Sequence, residues 1–171
     1  MKTPENVTPA PVGSGHLVLP PKSFVLMFKP RFAALVEAGT KTQTVRPTPA
    51  RMPKPGDKLS LRMWTGKPYR SKQRVLREAT VLYIAKIKLD SFDMWFDGVR
   101  ASGAKQDAFA RADGFSTAHE LLDWFENEHG LPFEGVVIVW QNDKISNAGP
   151  KNYEYTNRST PTAGHSRSQN G

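Results

Sequence analysis

Cysteine is absent from the 171 residues, which excludes disulfides, thiolate zinc sites and cysteine nucleophiles. No apolar run approaches the roughly 20 residues that a membrane span requires. The first apolar cluster, Leu17 to Leu19, is cut off by Pro20 and Pro21, too early for a signal-peptide core, so a cytoplasmic location away from membranes is expected. The histidines (His16, His119, His129 and His165) form no ligand-spaced cluster with carboxylates, and neither a metal nor another cofactor is expected. Hydrophobic residues are also scarce, at 38% of the chain. Part of the length therefore lies outside any core, and the remainder suits one domain.

What the chain does have is positive charge, unevenly spread. The formal balance is +8, which predicts an anionic partner. Between Lys41 and Lys88 stand 13 Lys or Arg against two acids, Asp57 and Glu78. Between Leu89 and Trp140 only Arg100, Lys105 and Arg111 face ten acids. A chain polarised in this way is expected to present one basic face, although a solvated surface with no partner would have the same composition.

The pattern of residues divides the chain into three. Residues 1–21 hold five prolines and residues 142–171 are rich in Asn, Ser, Thr and Gly. Both are expected to be disordered, since neither buries enough apolar surface to offset the entropy of ordering. Residues 22–141 form the expected domain. Within it Phe24 to Lys29 is an apolar run of strand length. Pro30 opens a helix whose Phe32, Leu35 and Val36 share a face, and Gly39 closes it. Strands are predicted over Thr42 to Arg46, Lys58 to Trp64 and Ala79 to Leu89, with a turn at Lys54-Pro55-Gly56-Asp57. Val81, Tyr83, Ala85, Ile87 and Leu89 are expected on one face of the long strand. One helix covers Lys105 to Ala112. Another starts at Thr117, whose spacing to Glu120 fits a capping box, and Gly135 to Trp140 is a buried strand. Several short strands with helices at the ends predict an α+β fold built on a small β-barrel.

Three stretches carry chemistry. Gly39 to Arg46 (GTKTQTVR) runs from a helix end into a strand with more hydrogen-bonding and cationic side chains than an ordinary edge needs. An exposed, solubilising Thr-rich strand would read the same way. Arg62 to Arg74 interleaves Trp64 and Tyr69 with Arg62, Lys67, Arg70, Lys72 and Arg74 across a Gly and Pro loop. Aromatic faces stack on bases while cations follow phosphates, so these seven residues and Arg46 are candidate nucleic-acid contacts. A basic hairpin with Trp64 turned inward is the alternative. The third stretch, Asp113-Gly114-Phe115, reads locally as a turn.

In their order along the chain, G-x-K-T-x-T-x-R, P-G-D, a basic W-T-G loop, D-G-F and F-x-G-x-x-I-x-W resemble the ASCH domain, with Phe24 to Trp140 matched. That family, many of whose members are encoded by phages and bacteria, has a PUA-like β-barrel. The resemblance implies a cavity that holds RNA, another single-stranded nucleic acid or a modified nucleoside. Some ASCH proteins are amidohydrolases that remove the acetyl group of N4-acetylcytidine with a Lys, a Thr and a Glu, and others are described as RNA-cleaving nucleases. Carried over by position, the catalytic residues are Lys41, Thr44 and, in place of the Glu, Asp113, shorter by one methylene.

Amide hydrolysis needs a nucleophile, a base and a proton donor for the leaving amine. Thr44, Lys41 and Asp113 fit those roles in that order. For Lys41 to act as the base its pKa must fall, through burial or a nearby cation such as Arg46. The C-terminal end of the preceding helix would oppose that fall. Strand parity adds a condition: Thr42, Thr44 and Arg46 share one face, so Lys41 meets Thr44 only if it precedes the strand proper or sits in a bulge. The leading expectation is a module that binds RNA or a modified nucleoside. The alternative is a hydrolase acting on N4-acetylcytidine or on RNA.

Overall fold

The computed structural model describes residues 20–142. The expectations for the two ends fall, apart from residues 20, 21 and 142, outside the described residues. The elements are β1 (Ser23–Phe28), α1 (Pro30–Ala38), β2 (Gln43–Arg46), β3 (Lys58–Trp64), β4 (Gln73–Leu89), β5 (Met94–Phe96), β6 (Val99–Arg100), α2 (Gly103–Asp113), α3 (Ala118–His129) and β7 (Phe133–Asn142). Among the described residues the fold is thus a mixed α/β arrangement of one seven-stranded sheet and three helices. No helix among the described residues is long and apolar enough to cross a membrane.

The 17-residue strand β4 is the spine of the sheet. Along one edge it pairs antiparallel with β3 and then, from Ile87, with β5; along the other it pairs antiparallel with β7 from Ala79 to Leu89. β7 carries β2 antiparallel on its far side, and β3 carries β1 in parallel. β1 and β2 are terminal strands of this arrangement, as is β6 beyond β5, and no ladder among the described residues joins β1 to β2. A seam is left there, spanned by one side chain: Nη2 of Arg46 in β2 donates to the Met27 carbonyl of β1 at 2.5 Å.

The sequence pattern explains most of this. Pro30 occupies the first turn of α1, where its missing N–H costs nothing, and Gly39 ends the helix at φ 77°. Asp57 fastens the turn before β3 by accepting from the Lys22 and Lys54 backbone N–H groups at 2.8 Å each. These bonds lower its pKa below the usual carboxylate range. Thr117 caps α3 by accepting from the Glu120 N–H at 3.2 Å. Glu120 reaches back to the Ser116 N–H rather than to that of the cap residue, at 2.7 Å.

The core is built from Leu59 and Leu61 of β3, Val81, Ile87 and Leu89 of β4, Ile138 and Trp140 of β7, and the Leu121, Leu122 and Phe125 stripe of α3. Three expectations change. The alternation along β4 breaks at a bulge between Val81 and Tyr83, where Leu82 is the extra residue, so Tyr83 leaves the buried face and is exposed. The chain also forms β5 and β6, a hairpin absent from the sequence reading. It turns on Asp97 and Gly98, both at positive φ (48° and 85°). β7 continues through Asn142, which pairs with Ala79, one residue past the expected boundary.

Candidate functional site

A cavity of about 170 Å³ opens at the seam. Its polar wall includes Lys41, Thr44, Arg46 and Asp113, and its apolar wall includes Phe28, Phe32 and Trp124. The three residues carried over as catalytic, and Arg46 with them, therefore line one space. The volume lies below the roughly 300–1,000 Å³ of sites for drug-sized ligands, which suits a single small ring system.

Local chain geometry brings these groups together. Beyond Gly39, the N–H groups of Thr40 and Lys41 both return to the Leu35 carbonyl, at 3.0 and 3.1 Å. Lys41 is thereby turned inward before strand pairing begins at Gln43, which meets the parity condition. Thr42 is pinned on both sides: its N–H donates to the Ala112 carbonyl of α2, and its own carbonyl accepts from the Trp140 N–H, both at 3.0 Å. Asp113 is the last residue of α2 rather than part of a free turn, and Gly114 follows it as a left-handed cap at φ 92°. A side chain at Gly114 would crowd Leu35 at 3.0 Å and the Lys41 stem at 3.4 Å.

Lys41 and Asp113 are both buried, at 1% and 3% exposure. The Lys41 ammonium lies 3.1 Å from Asp113 Oδ2, donates to the Asp113 main-chain carbonyl, and sits 4.7 Å from the centre of the Phe32 ring. The helix end that favours its charge is therefore that of α2, not that of α1. Burial nonetheless dominates and lowers the Lys41 pKa; Asp113 opposes the shift, and Arg46 and Arg31 add to it. For Asp113 burial raises the pKa from 3.8 to about 6, against the pull of Lys41 and Arg46. Both shifts disfavour the charged form of the group concerned, and burial is the first cause of each.

Two atoms at this cavity lack partners. Asp113 Oδ1 and Arg46 Nε are buried without a hydrogen bond. The Val45 N–H is the weakest of the groups favouring the Asp113 carboxylate, and it does not complete a bond to Oδ1. Each unpaired buried atom carries a desolvation cost of about 1–3 kcal/mol.

The other nucleic-acid candidates do not line the cavity. Arg62 is held within the sheet by Ser60 Oγ at 2.8 Å and Gln73 Oε1 at 3.2 Å. Arg74 pairs with Glu37 of α1 at 2.5 Å. Trp64 packs on Tyr69 with ring centres 5.4 Å apart, in a hairpin that also carries Lys67, Arg70 and Lys72.

The sequence reading missed the outer rim, where Lys29 pairs with Glu128 and His129 lies against Trp124, Phe125 and Phe133 at 5.3–5.8 Å. Only the position of Glu128 and His129 at the end of the α3 stripe hinted at it. A second cavity of about 190 Å³, between β4, β5 and α2, is walled by apolar side chains with Asp97 as its one charge. That carboxylate already accepts from the Lys86 N–H at 3.0 Å, which leaves little there for polar recognition. No family model, curated protein or solved structure matches the chain.

Proposed function

We propose that this chain is an ASCH-type domain with a PUA-like barrel, open along the seam between β1 and β2, that holds RNA or a modified nucleoside by one base. The observation that carries the reading is the orphaned pair Arg46 Nε and Asp113 Oδ1 at the cavity wall. A base edge that combines an N–H donor with a ring acceptor satisfies both. Asp accepting from the exocyclic amine of cytosine is a standard pairing of this kind, and Phe28, Phe32 and Trp124 supply apolar walls for the ring. The resemblance described for the sequence points to the same ligand class.

Convergence of Lys41, Thr44 and Asp113 on the cavity favours a second reading, an N4-acetylcytidine amidohydrolase. Thr44 Oγ attacks the acetyl carbon as the neutral Lys41 amine takes its proton. Collapse of the tetrahedral intermediate breaks the C–N bond, and the Asp113 carboxylic acid protonates the departing amine. Water then releases acetate from Thr44 by the reverse proton route. Burial drives Lys41 and Asp113 toward the protonation states this sequence uses.

Titration calorimetry with cytidine, N4-acetylcytidine and uridine, with chromatography of the recovered nucleosides, tests both readings. Binding reads as heat that disappears in Arg46→Met. Hydrolysis reads as cytidine and acetate, abolished in Thr44→Ala and in Lys41→Arg. Heat without product in the wild type would discard the enzyme reading. No heat and no product with any of the three nucleosides would discard both.

A further inference from the structure

We propose that the β3–β4 hairpin is a docking surface for single-stranded nucleic acid, which delivers a flanking strand alongside the cavity. The tip is a built platform. The Thr65 N–H and hydroxyl both donate to the Lys72 carbonyl, at 2.9 and 3.0 Å, and the Gly66 N–H donates to Ser71 Oγ at 3.0 Å. Ser71 Oγ in turn donates to the Lys67 carbonyl at 2.9 Å.

On this frame Tyr69 is 90% exposed and adopts φ 61°, a left-handed conformation that a bulky residue seldom takes. Its ring backs onto Trp64, so one face remains available to a base. Lys67, Arg70 and Lys72 flank it and have no ion-pair partner among the described residues. Lys29, Arg31, Arg74 and Arg100, by contrast, each have an acidic partner.

Exposed aromatic plus free cations is the combination that binds single strands. An anionic membrane would also attract the cations, but insertion needs an apolar cluster, and between Thr65 and Lys72 only Pro68 and Tyr69 supply apolar surface. The hairpin leaves β3 after Trp64, one residue beyond Met63, which is in register with the cavity residue Phe28, so it starts next to the β1 wall of the cavity. In its bearing on the cavity this inference rests on the reading above. The test uses an unmodified strand with no cytosine, so the two fail separately.

Fluorescence anisotropy of the full chain with a labelled oligouridine 12-mer, across a salt series, is the experiment. Three neutralised phosphates give a log–log salt slope of about −2 from the hairpin. Lys67→Ala, Arg70→Ala and Lys72→Ala together should remove about that much slope. Tyr69→Asn should weaken binding by about 5- to 150-fold with the slope unchanged, because Asn tolerates the left-handed backbone and only the ring is lost. A duplex of equal length should bind less tightly. Affinity and slope unaltered in the triple variant, a duplex preferred over the strand, or retention on phosphatidylserine vesicles with no strand binding would each overturn the proposal.

Discussion

Replacing Lys41 with Met keeps the length and apolar stem of the side chain but removes the charge buried beside Asp113. Breaking a buried pair by deleting one partner costs about 3–5 kcal/mol. That corresponds to about two to four pKa units on the surviving carboxyl, at about 1.4 kcal/mol per unit. In the wild type the Asp113 pKa is already raised from 3.8 to about 6. A raised carboxyl pKa means that the folded state binds more protons than the unfolded one, so stability falls as pH rises through the folded pKa. In the wild type that loss is complete just above pH 6. In Lys41→Met the nearest cation is gone, the pKa climbs further, and stability keeps falling toward pH 8. At pH 5 the carboxyl is protonated in both proteins and this part of the difference vanishes. Urea unfolding followed by tryptophan fluorescence should therefore give a destabilisation about 3 kcal/mol larger at pH 8 than at pH 5. The double variant Lys41→Met with Asp113→Leu should recover most of it at pH 8, because an apolar pair fills the site without a stranded charge. Equal destabilisation at the two pH values would refute the account.

Gly135→Ala places a Cβ 2.2 Å from the Arg46 carbonyl oxygen, so β2 must shift. We expect a loss of at least about 2 kcal/mol by urea unfolding, with weakened nucleoside binding because Arg46 moves too. Thr117→Ala removes the side-chain cap of α3 and should cost about 1 kcal/mol, read as a lowered midpoint in thermal unfolding.

Elements with strong local punctuation were legible from the sequence. Pro30 and Gly39 bound α1, and the Pro55-Gly56 turn sets the start of β3, because these residues restrict or free the backbone regardless of what surrounds them. The β5–β6 hairpin was missed although Asp97-Gly98 is a strong turn signal, since strands of three and two residues are too short to show alternation. The bulge at Leu82 is set by pairing with β7, a contact between residues more than 50 positions apart, and no local pattern encodes it. Of the site, Lys41 and Thr44 stood out because polar residues crowd a short strand. The outer rim did not: Glu128 and His129 look like ordinary helix-end residues until the fold carries α3 over the seam.

The seam also bears on how a ligand held as proposed would enter and leave the cavity. Opening a ladder would break several backbone hydrogen bonds at once, whereas β1 and β2 are joined by the Arg46 to Met27 bond. Turning one guanidinium aside forfeits a single charge-assisted bond, about 1.5–3 kcal/mol, while the paired strands stay intact. For a ligand held as proposed, passage through the seam would require rotation of one side chain and the breaking of no strand ladder.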